Sequence, residues 1–189
     1  MSKNTLVLYT SDNGPWNQPK YYKNKKGHPK GSIFWGESGE LRNGKGSPYE
    51  GGYRLPCIAR WPGKIPAGRN SDAIFATIDF LPTFATLSGA QVPKDRIIDG
   101  IDQVALLFGK SDEGRKDFFF DVAGVRLGDW KYVSAKANFY GYAKEDDRPQ
   151  LDELYNLSKD IGEKENLAQK YPEKLQELKK LFESIKTSR

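Results

Sequence analysis

The chain predicts an α/β protein that closes with a small α+β subdomain. Three features carry that prediction: a continuous apolar run at its start, an apolar stripe at helical spacing in its middle, and short strand candidates followed by a terminal amphipathic helix.

Thr5-Leu6-Val7-Leu8-Tyr9 is apolar throughout, with β-branched and aromatic members, and it ends at Ser11-Asp12-Asn13-Gly14-Pro15. A run apolar on both faces suits an inner strand of a parallel sheet covered on each side by helices. Residues 14 to 52 are rich in Gly, Lys, Ser, Asn and Pro without a sustained period, which reads as a long functional loop. Leu55 to Trp61 reads as a second strand, stopped by the Pro62-Gly63 turn. From Asp72 to Gly89 the residues Ile78, Leu81, Phe84, Ala85 and Leu87 recur at helical spacing, with Pro82 near the start and Gly89 just past the end. Leu106 to Gly109 closes a further helical turn.

After Arg115 the pattern changes. Lys116 to Val122, Asp129 to Ala135 and Glu153 to Leu157 are short strand candidates, with a turn at Gly128-Asp129. Pro172 opens a helix that places Leu175, Leu178, Phe182 and Ile185 on one face. An antiparallel sheet with a terminal helix is a small α+β subdomain.

With 189 residues the chain is long enough to bury a core, and its 37% hydrophobic content, rich in Gly and Pro, argues for a loop-rich globule over a helical bundle. No segment approaches the roughly 20 apolar residues of a membrane helix, and no secretory leader is visible. One cysteine, Cys57, leaves no internal disulfide and no multi-cysteine metal site. It sits in a predicted strand and reads as a structural thiol.

The net charge of +5 owes much to Lys20, Lys23, Lys25, Lys26 and Lys30, interleaved with Tyr21 and Tyr22. Such a segment fits a solvated loop, a phosphate-backbone tracker, or a basic rim that attracts a small anion. The residues that follow favour the rim over nucleic acid. The single histidine, His28, lies between Gly27 and Pro29 and reads either as an exposed loop imidazole or as a substrate contact.

Two segments carry chemistry. Asp12 and Asn13 offer adjacent oxygen donors where a strand stops, and ligands in open α/β sheets bind beyond the carboxyl ends of strands. Hard cations want several such oxygens, so this pair is at most part of a shell, and the same residues are good turn formers. Lys45 lies between Gly44 and Gly46, where small neighbours let a ligand approach and the ammonium can face an anion. The spacing is not that of a phosphate-binding Walker loop. Glu50 and Arg54, flanking Gly51-Gly52, read as a pair that holds this loop.

Together these segments resemble the sulfatase family, within the alkaline-phosphatase-like superfamily. The resemblance rests on LVLYTSDNG (Leu6 to Gly14), LRNGKGSPYEGGYRLP (Leu41 to Pro56), Trp61-Pro62-Gly63-Lys64-Ile65 and Asp79-Phe80-Leu81-Pro82-Thr83 with Asp99-Gly100-Ile101. Leu154-Tyr155-Asn156-Leu157 with Glu165-Asn166-Leu167-Ala168 extends it. The lysine-loop segment is the specific one.

The resemblance implies that residues 1–112 are the C-terminal part of a doubly wound sulfatase core and 113–189 a C-terminal α+β subdomain. It implies a sulfuric ester hydrolase in which Asp12 and Asn13 complete the shell of a divalent cation, usually Ca²⁺, while Lys45, as catalytic residue, contacts a sulfate oxygen. Family enzymes attack sulfur with a formylglycine made within C/S-x-P/A-x-R. Cys57-Ile58-Ala59-Arg60-Trp61 puts the arginine one position too early, and no serine fits either. The expected picture is therefore a portion of a sulfatase, inactive alone, whose partners are a sulfated small molecule or glycan and the missing N-terminal half or another copy. A related phosphodiesterase or phosphonate hydrolase, or a non-catalytic anion-binding module, is the alternative. Compartment stays open, although the family is often exported.

Overall fold

A computed structural model describes residues 3–16, 36–137 and 148–188. In chain order its elements are β1 (Val7–Thr10), α1 (Glu50–Tyr53), β2 (Cys57–Arg60), α2 (Phe80–Ser88) and α3 (Val104–Leu107). There follow β3 (Asp117–Phe119), β4 (Gly124–Leu127), β5 (Trp130–Val133), β6 (Glu153–Asn156) and α4 (Pro172–Thr187). The chain divides into two compact units, one of Met1–Asp12 with Pro56–Lys116 and the other of Asn13–Leu55 with Asp117–Arg189. The last of the three breaks lies between Lys116 and Asp117, and the described residues within 13–55 group with the C-terminal strands. No helix among the described residues is long and apolar enough to cross a membrane.

In the first unit β1 pairs antiparallel with β2, Tyr9 facing Ile58 and Val7 facing Arg60. The expected inner strand of a parallel sheet is therefore, among the described residues, one half of a two-stranded ribbon. Its apolar side chains stay half-buried, and Tyr9 and Ile58 are 65% and 61% exposed. Cys57 lies on β2 as expected, yet it is exposed rather than packed.

α2 begins later than the spacing predicts, after a tight turn at Thr77–Asp79, and ends at Gly89, whose φ of 74° gives the left-handed cap. Its buried residues are Pro82, Thr83 and Ala85, while Leu81 and Phe84, and Ile78 just before the helix, are about half exposed. The reason is polar. Asp79 is fully buried and accepts hydrogen bonds from the Ala76 and Ile101 amides (both 2.9 Å) and from Arg115 and Gln103. Thr83 accepts the Gln103 amide at 3.0 Å. That anchored hub decides which side of α2 faces inward, and the large apolar residues fall on the other.

In the second unit β3-β4-β5-β6 form an antiparallel sheet in sequence order, with the hairpin turn at Gly128 as expected. Side-chain alternation gives it two distinct faces. Val125, Tyr132 and Leu154 meet Leu178 and Phe182 of α4, with Phe119, Leu127 and Trp130 around them. Val133 and Tyr155 instead pack with Tyr49 and Phe120. The sheet is therefore covered by the terminal helix on one face and by the segment leading into α1 on the other.

Candidate functional site

The strand-end segment and the lysine loop meet through their backbones. Lys45 N–H donates to Pro15 O, and Gly14 N–H donates to Gly52 O, both at 2.9 Å. The approach is close enough that only glycine fits: a Cβ on Gly14 would lie 1.8 Å from Gly51 O, and one on Gly51 would lie 2.2 Å from Asn43 O. Lys45 is half-buried, and its Nζ stands 5.9 Å from the centre of the Trp16 ring. Asn13 Nδ2 donates to Gly14 O at 3.0 Å, a bond that engages the nitrogen end of the amide. Ser47 closes the lysine turn by donating to Gly44 O at 2.9 Å.

Behind the loop lies a buried cluster of charge. Glu50, at the start of α1, is 2% exposed and its Oε1 lies 2.9 Å from Lys131 Nζ. Arg126 and Arg54 stand at 3.6 and 3.7 Å from its other oxygen, so the expected Glu50–Arg54 pair is present within a larger network. Lys131 is itself fully buried, over the Phe120 ring, with a second carboxylate, Glu163 Oε1, at 2.9 Å in an off-line geometry. Glu163 Oε2 accepts the Glu50 N–H at 2.7 Å. Burial alone would push the Glu50 carboxyl up, but Lys131, Arg126 and Arg54 together hold it below the usual range. For Glu163 burial prevails over Lys131, and its carboxyl sits above that range.

A second clamp surrounds Arg42. Its guanidinium lies 3.6 Å above the Tyr49 ring and donates to Tyr155 Oη (2.7 Å) and Glu163 O (3.1 Å). Tyr49 donates to Glu153 at 2.8 Å, and burial beside that carboxylate drives the Tyr49 phenol far above its ordinary value.

Of the residues singled out in the sequence, Asn13 and Lys45 belong to one unit and their segments are hydrogen-bonded together. Asp12 is exposed and is the last residue of the other unit's first segment. His28 lies outside the described residues. Lys131 and Glu163 were missed, because a lysine between Trp130 and Tyr132 reads as the solvent-facing member of a strand.

Comparison with known proteins decides the kinship. Residues 1–90 match the family model described as Sulfatase. An N-acetylgalactosamine-6-O-sulfatase from Bacteroides thetaiotaomicron is 33% identical over 99% of this chain and 37% of its own length. Arylsulfatase G of Canis lupus familiaris is 34% identical over 85% of this chain and 32% of its own. A Bacteroides thetaiotaomicron structure, solved in connection with the metabolism of multiple glycosaminoglycans, superposes with a TM-score of 0.78 at 31% identity, covering 98% of this chain and 39% of that one.

The chain belongs to the sulfatase family. It carries the alkaline-phosphatase-like fold of its structural neighbours in part, spanning well under half the length of these relatives. Asp12 and Asn13 carry a carboxylate and an amide oxygen, the donor type that hard divalent cations take, and two such donors are at most part of a shell. Among the described residues no group of three His, Cys, Asp or Glu side chains gathers to hold a metal.

Proposed function

We propose that this chain supplies part of the active site of a sulfuric ester hydrolase, with Lys45 as the residue that contacts a sulfate oxygen. The observation that supports this reading is the pair of backbone hydrogen bonds fastening the lysine turn to the strand end that bears Asn13. An ammonium held on a rigid turn is placed in advance of the reaction, so it stabilises charge on the sulfuryl oxygens without reorganising. Trp16, beside Lys45, gives the site an apolar wall. Asp12 and Asn13 would contribute to the shell of a divalent cation, Ca²⁺ in this reading, whose contribution when bound is further charge neutralisation at the ester. His28, on the basic segment, is proposed as a substrate contact. The nucleophile lies outside this chain, which has no C/S-x-P/A-x-R segment. The substrate is a sulfated glycan or small molecule, in keeping with relatives named for N-acetylgalactosamine-6-O-sulfate and for aryl sulfates.

The test is hydrolysis of an aryl sulfate and the matching aryl phosphate by the protein complete with its nucleophile-bearing part. Activity on the sulfate, lowered about 10²- to 10³-fold by Lys45→Ala, is expected. Preference for the phosphate would move the protein to the phosphodiesterase branch, and an unchanged Lys45→Ala variant would remove the lysine from the site. With two donors of the 6 to 8 that Ca²⁺ takes, the chain by itself is expected to bind this cation weakly in calorimetric titration. Tight binding would contradict an incomplete shell.

A further inference from the structure

We infer that Lys131 and Glu163 are positioning residues of the lysine loop, a buried ion pair that locks the α1 turn and through it the backbone of Lys45. The functional consequence rests on reading Lys45 as the anion contact; the positioning itself does not.

A path of hydrogen bonds, ion-pair contacts and short stretches of backbone joins the two ends. Glu163 Oε2 takes the Glu50 N–H, and Lys131 Nζ bridges Glu50 and Glu163. From α1 the Gly51 N–H reaches Arg42 O, while Gly52 O takes the Gly14 N–H and Pro15 O takes the Lys45 N–H, all at 2.9 Å. Glu163 is held at a φ of 52°, a conformation that a residue with a side chain adopts only when its surroundings impose it. Arg42, donating to Glu163 O, is part of what imposes it. Stability alone does not call for this arrangement, since apolar residues of similar volume commonly replace buried ion pairs without loss. What charge adds is direction: Glu50 Oε1 accepts from Lys131 and Glu163 Oε2 accepts the Glu50 N–H, so the turn is oriented against β5 by two directed bonds.

The charged groups around this pair are Glu50 from α1 and Glu163, both against Lys131, with Arg54 just after α1 and Arg126 from β4 against Glu50. Removing the lysine leaves two buried carboxylates with only the arginines nearby, and they regain a neutral state by taking up protons. The experiment is residue-resolved amide hydrogen exchange on the whole chain, for Lys131→Met, Glu163→Gln and the double variant. In Lys131→Met at about pH 7, protection of the Glu50, Gly51, Gly52 and Lys45 amides is expected to fall about tenfold or more, while Ser134 and Leu157, bonded at the ends of the sheet, keep theirs. Protection in the turn should return as the pH is lowered to about 5, and in part at neutral pH in the double variant, which buries one carboxylate fewer.

Equal loss in the turn and the sheet, or loss that ignores pH, would make the pair a simple core bridge and overturn the inference. So would an unchanged turn. Should Lys131→Met not fold, Glu163→Gln decides by the same comparison: a smaller loss confined to the turn supports positioning, and none refutes it. Inorganic sulfate added to the unsubstituted chain tests the other reading separately. If the Lys45 resonance does not respond, the anion contact falls, while the exchange pattern still decides the positioning.

Discussion

Glu50 and Glu163 share one lysine and yet are driven in opposite directions, and that difference has a measurable consequence. The Glu163 carboxyl is raised above its unfolded value of 4.5. Its share of stability is therefore full below that value and is lost as pH climbs through the folded one. Glu50 is lowered from the same 4.5, so its share is present above that value and is lost as pH falls through the folded one. Urea unfolding at a series of pH values should show the stability advantage of the parent over Glu163→Gln shrinking as pH rises past about 4.5, and its advantage over Glu50→Gln shrinking as pH drops below it. Two flat differences would mean that neither carboxyl is perturbed. Asp79 provides a second test at the same scale. It is fully buried and satisfies the Ala76 and Ile101 amides as well as Arg115, so Asp79→Ala leaves donors and a cation without their acceptor. A loss of about 3–5 kcal/mol of unfolding free energy is expected.

Among the elements, α4 is the one that local pattern determines most completely. Pro172 takes the first helical position, and the 3.6-residue period brings Leu178 and Phe182 to full burial against the sheet, where Phe182 stacks on Phe119 at 5.4 Å. Leu178→Ala should therefore cost about 2–5 kcal/mol and Phe182→Ala about 3–5 kcal/mol, against less than about 0.5 kcal/mol for the exposed Lys180→Ala, all read from denaturant midpoints. The hairpin turn at Gly128 and the strand that follows it were equally legible, since turn chemistry and alternation are local. The lysine turn was legible as a place of close backbone approach, because its glycines announce one. Its support was not. Glu50, Lys131 and Glu163 come from three distant parts of the chain, and what buries Lys131 is the segment laid over that face of the sheet, which no period records. α2 failed for a related reason: its apolar spacing is real, yet the Asp79 hub, assembled from Ile101, Gln103 and Arg115, sets which side turns inward.

For the molecule as a whole, that reversal leaves apolar surface in water. In the first unit Ile78, Leu81 and Phe84 are 43%, 51% and 41% exposed, and Tyr9 and Ile58, paired across β1 and β2, are more exposed still. Fully burying an aliphatic side chain is worth about 1.5–3 kcal/mol, so several left in solvent make a strong drive toward association. Two occupants compete for such a surface: further sulfatase-family polypeptide, given that this chain spans only 37% and 39% of its Bacteroides relatives, and another copy of the chain. Alone, the chain has only its own copies to meet. Sedimentation velocity is then expected to give a coefficient that rises with concentration. The double substitution Ile58→Thr and Leu81→Lys should move it toward a single slow species, because a charge at the centre of an apolar contact has no partner and costs desolvation when buried. Neither side chain belongs to the buried core, so thermal unfolding of the variant should stay close to the parent's. A concentration-independent monomer from the unsubstituted chain would show that this surface is tolerated in water and that no second polypeptide is required to cover it.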